Sequence, residues 1–491
     1  MSTEVITNFI HGKAIAPQVE NFGDVHNPST GEVIAKTPFS QAHDVDAAVE
    51  SAGKAFPSWS DTPAPTRAKI LFECRRRVAE NLEALSQLIC EENGKTFGEA
   101  KGDVTRGLEV LEFACNIPHL LMGESLPQMA EHIDGTTSRE PLGVCAGITP
   151  FNFPVMVPMW MFPLAIACGN TFILKPSEKV PQCANRLAQI FLEAGLPEGV
   201  FNVVHGGREA VETICAHPGI SAVSFVGSTS VARAVYEQGT RAGKRVQAAG
   251  GAKNVMVVMP DAERDSTLRA IMGAAFGCAG QRCMAGSILM GIGDIADPLK
   301  EGLVSEMDAL TLGDTSRDRS VGMGAMIDSQ SRDRLFGVIE KAAQDKVQIV
   351  RDGRSKVPNQ GFYLGPTLFD HVSTDQTLFN TELFGPALCL SRPSSLDDAI
   401  QQINRLPYGN GASIFTSSGA AAREFSRKIQ CGMIGVNVGV PAPMAIFPFS
   451  GWGRSFFGDL HVQGMEGVSF YTRKKVVLSR WDDTYVRKQG W

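Results

Sequence analysis

Cys283 closes the run Phe276-Gly-Cys-Ala-Gly-Gln-Arg-Cys283, in which small residues surround a thiol and a guanidinium immediately precedes it. Small neighbours let a sulfur reach into a cleft. A nearby cation lowers a cysteine pKa, so Arg282 is expected to favour the thiolate, which is the nucleophilic form. The chain has 11 cysteines, and a free cysteine is most often a small buried hydrophobe. Taken alone, the run fits a structural thiol as well as a nucleophile.

Four further segments carry groups suited to chemistry. In Thr149-Pro-Phe151-Asn152-Phe-Pro154 an asparagine sits between two aromatics and two prolines. That makes a rigid amide donor suited to an oxyanion hole, or an ordinary turn asparagine. Lys175-Pro-Ser-Glu178 closes a strand-like run, and the carboxyl edge of an open α/β sheet is where cofactors bind. Lys175 and Glu178 could both bond ribose hydroxyls, or form a solvated turn. Phe225-Val-Gly227-Ser228-Thr229 ends a strand and opens a helix, so its free N–H groups and the Ser228 hydroxyl suit an anion. A plain helix N-cap reads the same way. Glu382-Leu-Phe384-Gly385-Pro386 offers a carboxylate for a ribose and a ring for a flat heterocycle, or a loop with a core phenylalanine. The glycine pattern GxGxxG is missing from the Gly227 turn. A loose match, Gly291-Ile-Gly293-Asp-Ile-Ala296, lies after the thiol and is ascribed to chance.

The elements that must position these groups alternate along the chain. Residues 5–36 read as peripheral strands and turns. Apolar spacing predicts one long helix from Thr66 to Asn93, stopped at Gly94, and a second from Gly98 to Ala114 that carries Arg106. Short buried strands are predicted at 142–148, 171–175, 200–204, 222–226 and 255–259, with a helix over 182–194. A second alternating region spans 265–436, and the tail reads as strand at 468–471 and 476–478. A chain of 491 residues is too long for one ordinary core. The expected fold is α/β, with two α/β domains built on parallel sheets and a stranded tail suited to pairing with another subunit.

Composition excludes several classes of function. The net charge is −6 and no basic tract occurs, so neither a nucleic-acid nor a membrane partner is expected. The longest apolar stretch, near Phe151 to Cys168, is interrupted by Asn152 and three prolines, which argues against a membrane span. No signal peptide, CxxC pair or histidine metal spacing is seen, and the cysteine count is odd. The expectation is a reduced, cytoplasmic enzyme without a metal. The absence of GxSxG disfavours a serine hydrolase.

The segments TPFNFP, KPSE, FVGST, GQRC and ExFGP occur together in that order. Jointly they resemble the aldehyde dehydrogenase superfamily over nearly the whole chain. The resemblance implies an NAD-binding domain over 1–119 and 141–248, a catalytic domain over 249–438, and an oligomerisation element over 120–140 and 462–491 in a homodimer or homotetramer. It also implies Cys283 as nucleophile, with Asn152 and the Cys283 N–H as the oxyanion hole. Lys175 and Glu178 would hold the adenosine ribose, Ser228 the pyrophosphate and Glu382 the nicotinamide ribose. Thr149, Phe151, Lys179, Gly250 and Phe384 complete the implied cofactor site. Glu178 would repel a 2′-phosphate, so NAD is expected rather than NADP.

One departure from the superfamily pattern is informative. Where most members have Glu-Leu-Gly-Gly-Lys, this chain has Gln247-Ala-Ala-Gly-Gly-Ala-Lys-Asn254, with no carboxylate between Gly243 and Asn254. That glutamate normally activates water, and a general base contributes about 10²–10⁴-fold. Its loss favours a thiol acceptor such as coenzyme A. The runs 158–175, Gly251-Ala-Lys-Asn254, Gln281-Arg-Cys-Met-Ala285 and Gly458-Asp-Leu-His461 resemble the CoA-acylating methylmalonate-semialdehyde dehydrogenase subfamily. There, Arg106 and Arg282 are the implied partners of an anionic aldehyde or of CoA, as suits a guanidinium fork. The segment 439–454 departs from that subfamily. It keeps open a non-acylating dehydrogenase of another short anionic aldehyde, for example a sulfonated three-carbon one. A non-catalytic binding protein on this fold is disfavoured by the intact set Asn152, Cys283 and Glu382.

Overall fold

The structure, a computed structural model, describes residues 4–481. Its first sheet has eight strands, ordered 456–457, 245–249, 220–226, 144–148, 171–175, 201–203, 8–10 and 13–15. The five strands from 245–249 to 201–203 run parallel, and the strands outside them are antiparallel. Val144–Ile148 and Thr171–Lys175 are buried at every position, as expected of parallel strands covered on both faces. Register aligns Ile148 with Lys175, Phe225 with Ile148, and Val226 with Ala249. The loops leaving this common edge are those that carry Asn152, Glu178, Ser228 and Gly250.

A second sheet of seven strands is ordered 348–351, 367–370, 387–391, 286–291, 254–258, 411–415 and 433–436. It is parallel except for its first pair. The strand predicted at 255–259 belongs to this sheet and not to the first. Between the first sheet and the helix Phe97–Cys115 lies the helix Met156–Ala167, apolar around its whole circumference and buried at all twelve positions. Among the described residues no helix is long and apolar enough to cross a membrane.

Several sequence expectations are corrected. The helix predicted over 66–93 is two helices, Ala64–Glu80 and Leu82–Asn93, broken at Asn81. There the Asn81 side chain donates to the Arg77 carbonyl at 2.8 Å and accepts from Arg186 at 2.8 Å. An asparagine amide competing for backbone in this way disfavours continuous helix. The stop at Gly94 is left-handed, with φ 80°. Residues 468–471, predicted as strand, fall largely in the helix Gly464–Phe470. Gly467 lets that helix press on Leu164, since a Cβ there would come within 2.9 Å of its side chain.

The tail strand Thr472–Arg480 pairs antiparallel with Ile133–Pro141 of the same chain, which also pairs with Ser125–Ala130. Val476, Val477 and Leu478 on it are exposed. Residues 482–491 of the expected oligomerisation element lie outside the described residues. The strands at 8–10 and 13–15, expected to be peripheral, extend the first sheet at one edge. Phe456–Phe457 closes the other edge from beyond residue 438.

Candidate active site

A cleft of about 500 Å³ runs along the carboxyl edge of the first sheet. Every residue expected to bind cofactor lines it: Thr149, Phe151, Lys175, Glu178, Lys179, Ser228, Gly250, Glu382 and Phe384. Asn152 and Cys283 line it too. Lys175 is buried and lies 3.4 Å from the Glu178 carboxylate. Burial lowers its pKa and Glu178 opposes the shift. Lys179 pairs with Asp328 at 2.5 Å and stands over the Phe151 ring, which meets Phe384 edge-on at 5.9 Å. Ser228 precedes the helix Thr229–Arg241 but does not cap it; its hydroxyl is 3.4 Å from that of Ser230. The first N–H groups of that helix therefore keep their donors for an anion.

Glu382 accepts the Ala252 N–H at 2.9 Å. Burial raises its pKa, while Ala252, Lys253 and Arg334 oppose. A side chain at Gly251 would overlap the Glu382 carboxylate, and one at Gly250 would come within 2.8 Å of the Arg454 carbonyl. The cleft thus presents a carboxylate and a buried ammonium for hydroxyls, free helix N–H groups for an anion, and aromatic rings. That donor set fits a dinucleotide. Arg334 and Val231 also line the cleft; no motif pointed to either.

The loop before Cys283 is bent left-handed at three consecutive residues, Cys278, Ala279 and Gly280, with φ 52°, 50° and 67°. The Gly280 position overlaps the Gly385 carbonyl if any Cβ is added. Three asparagines hold the loop. Asn254 and Asn410 donate to the Cys283 carbonyl at 2.9 and 3.0 Å. Asn152 donates to the Gln281 carbonyl at 3.0 Å. Arg282 acts on Cys283 in the expected direction, toward the thiolate, but is outweighed. Although the residue as a whole is half-buried, burial and then the Glu382 carboxylate push its thiol up to about 12. Arg282 and the backbone N–H groups of Cys283 and Met284 pull the other way but do not prevail.

A second cavity, of about 230 Å³, reaches Cys283 from the other side and is lined by both Arg106 and Arg282. Phe153, Trp160 and Phe449 supply much of its apolar wall. Arg106 bonds Glu109 at 2.7 Å and the Pro443 carbonyl at 2.6 Å, so it ties a helix to the divergent segment 439–454. Arg282 donates to the Gly277 carbonyl at 3.2 Å and lies 3.8 Å from Glu99. No carboxylate replaces the missing glutamate within Arg245–Ala249; the Gln247 amide is taken up by Ser224, 2.9 Å away. His461, from the run 458–461, pairs with Glu466 at 2.8 Å. Among the described residues no cluster of acidic, cysteine or histidine side chains could hold a metal ion.

Comparison with known proteins agrees with this geometry. The model of the aldehyde dehydrogenase family matches residues 15–477. A malonate-semialdehyde dehydrogenase of Halalkalibacterium halodurans is 48% identical over 479 residues, covering 97% of this chain and 99% of its own. The solved methylmalonate-semialdehyde dehydrogenase of Oceanimonas doudoroffii superposes with a TM-score of 0.96 at 43% identity, over 98% of this chain and 99% of its own. A Sinorhizobium meliloti structure complexed with NAD, provisionally described as a methylmalonate-semialdehyde dehydrogenase, gives 0.97 at 42% identity over the same shares.

Proposed function

The chain belongs to the aldehyde dehydrogenase family, and from that premise we propose that it oxidises malonate or methylmalonate semialdehyde with NAD, hands the acyl group from Cys283 to coenzyme A, and releases CO₂. The observation that carries this reading is the pair of guanidinium groups, Arg106 and Arg282, in the cavity that reaches Cys283. A planar fork suits a carboxylate. Relatives named malonate- and methylmalonate-semialdehyde dehydrogenase support the same substrate class.

Lys175 and Glu178 would hold one ribose, Ser228 and the adjacent helix N–H groups the pyrophosphate, and Glu382 the other ribose. When bound, NAD supplies the hydride acceptor. Cys283 loses its proton to solvent and its sulfur bonds the aldehyde carbon, and Asn152 donates to the oxygen that gains charge. Departure of hydride from that carbon leaves a thioester on Cys283. The thiol of coenzyme A attacks the thioester, the bond to Cys283 breaks, and the sulfur is reprotonated. The carboxylate β to the carbonyl leaves as CO₂ and is replaced by a solvent proton, giving acetyl-CoA or propionyl-CoA.

The missing carboxylate in the stretch 243–254 supports a thiol acceptor over water. The divergent segment 439–454, held by Arg106 at the cavity wall, favours a second reading: a non-acylating dehydrogenase of another short anionic aldehyde, such as a sulfonated one. The test is NADH formation against short acidic aldehydes, each with and without CoA, with product analysis. Acyl-CoA is the expected product. Free acid alone at saturating CoA overturns the acyl transfer, and preference for a sulfonated aldehyde overturns the substrate.

A further inference from the structure

The first turns of the helix Phe97–Cys115 touch both loops of the site. Glu99 accepts the Cys278 N–H at 2.5 Å, five residues before Cys283. Asp103, one turn later, accepts the Met156 N–H at 2.6 Å, at the start of the helix that follows Asn152. Residues four apart share a helix face, and both carboxylates line the cavity that reaches Cys283. The second Asp103 oxygen bonds Lys95 at 2.7 Å, with side chains 0% and 2% exposed. Lys95 in turn stands 3.8 Å above the Phe153 ring, next to Asn152.

A buried ion pair is a poor source of stability, because desolvating the charges offsets their attraction. A neutral cap would satisfy the Met156 N–H equally well. What the two hydrogen bonds add is fixed geometry: one rigid helix turn grips the nucleophile loop with Glu99 and the Asn152 turn with Asp103. We propose that Glu99 and Asp103 are positioning residues that set the separation between the Asn152 amide and Cys283. The proposal rests on the assignment of those two as oxyanion donor and nucleophile.

The test uses the full-length enzyme with Lys95→Met, which removes the counter-charge. In that background Asp103→Asn keeps an oxygen for the Met156 N–H, and Asp103→Leu does not. Asp103→Asn should stay within a few-fold of wild-type kcat. Asp103→Leu should lose on the order of a hundredfold in kcat, as for a displaced reacting group, at unchanged KM for NAD. Equal kcat in the two variants overturns the proposal, as does a loss carried by KM for NAD instead of kcat. Should Asp103→Leu not fold, Glu99→Gln against Glu99→Leu asks the same question at a side chain that is 20% exposed. There too the conservative change must rescue kcat. Cys283→Ala and Asn152→Ala, run alongside, test the underlying assignment separately: retained activity in either removes that assignment, whatever the positioning variants do.

Discussion

Asn152 donates its side-chain amide to the Gln281 carbonyl at 3.0 Å, so the group expected to face an oxyanion is also a tether for the loop that ends in Cys283. An amide nitrogen carries two hydrogens, and the second is available to an adduct oxygen. Asn152→Ala is expected to lower kcat by about 10²–10³-fold, the usual cost of one oxyanion donor. Steady-state NADH formation measures it, and a loss under tenfold would contradict the role.

The raised thiol pKa of Cys283 predicts its chemistry without cofactor. A thiol pushed up to about 12 stays protonated through neutral pH. Alkylation by iodoacetamide should therefore keep rising as the pH passes 9.0, the ordinary thiol value. Glu382→Gln removes a negative charge that favours the protonated form, so it lowers the pKa and enlarges the thiolate fraction at mildly alkaline pH. Alkylation there is expected to run several-fold faster than in wild type, and KM for NAD to rise. Rates equal to wild type would rule out Glu382 as a cause.

Arg106 and Arg282 make a prediction about charge. A hydrogen bond to an ionised group is worth about 1.5–3 kcal/mol, or roughly ten- to a hundredfold in binding. Arg282→Ala is expected to raise KM for a semialdehyde carboxylate by that factor and to leave a neutral aldehyde such as propanal nearly unchanged. Arg106→Ala should do the same while also loosening segment 439–454. Parallel losses on both substrates would show that neither arginine reads the carboxylate.

Glu92 is fully buried and accepts the N–H groups of Gln182 and Cys183 at 2.9 and 3.1 Å. Burial raises its pKa from 4.5 to about 7. The folded state thus holds this proton more tightly than the unfolded chain. The contribution is complete below pH 4.5 and is lost as the pH rises to about 7, a difference on the order of 3 kcal/mol. Glu92→Gln keeps an oxygen for one of the two donors and removes the titration. Its urea midpoint should vary less than that of wild type between those pH values.

Gly280 combines φ 67° with a backbone contact that leaves no room for a methyl group. Gly280→Ala is expected to abolish NADH formation and to lower the melting temperature, the left-handed backbone alone costing about 1–2 kcal/mol. A fully active variant would mean that the loop can relax.

The site is legible because its motifs fall where strands end. The turns after Ile148, Lys175 and Val226 leave one sheet edge, so residues scattered over the chain meet in one cleft. What escapes a reading of the chain is long-range support. Glu99 meets Cys278 across 179 positions and Asn410 meets Cys283 across 127, and no local spacing announces such pairs. The pull of Arg282 on the thiol is legible as adjacency in the chain, while the burial that outweighs it is not. The end of the helix Gly464–Phe470 reads as strand because Val468 and Phe470 alternate, although the buried face at 464, 467, 468 and 471 has helical spacing.

Cys283 lies on the walls of both the long cleft and the arginine-lined cavity. On the proposed roles, oxidant and aldehyde reach the sulfur through separate doors. A small anion lodged beside Arg106 should compete with the aldehyde and leave dinucleotide binding untouched. A nucleotide fragment in the cleft should do the reverse. Traffic on one side can then turn over while the other side stays occupied, which is what an enzyme needs if it must keep an acyl group in place while its visitors change.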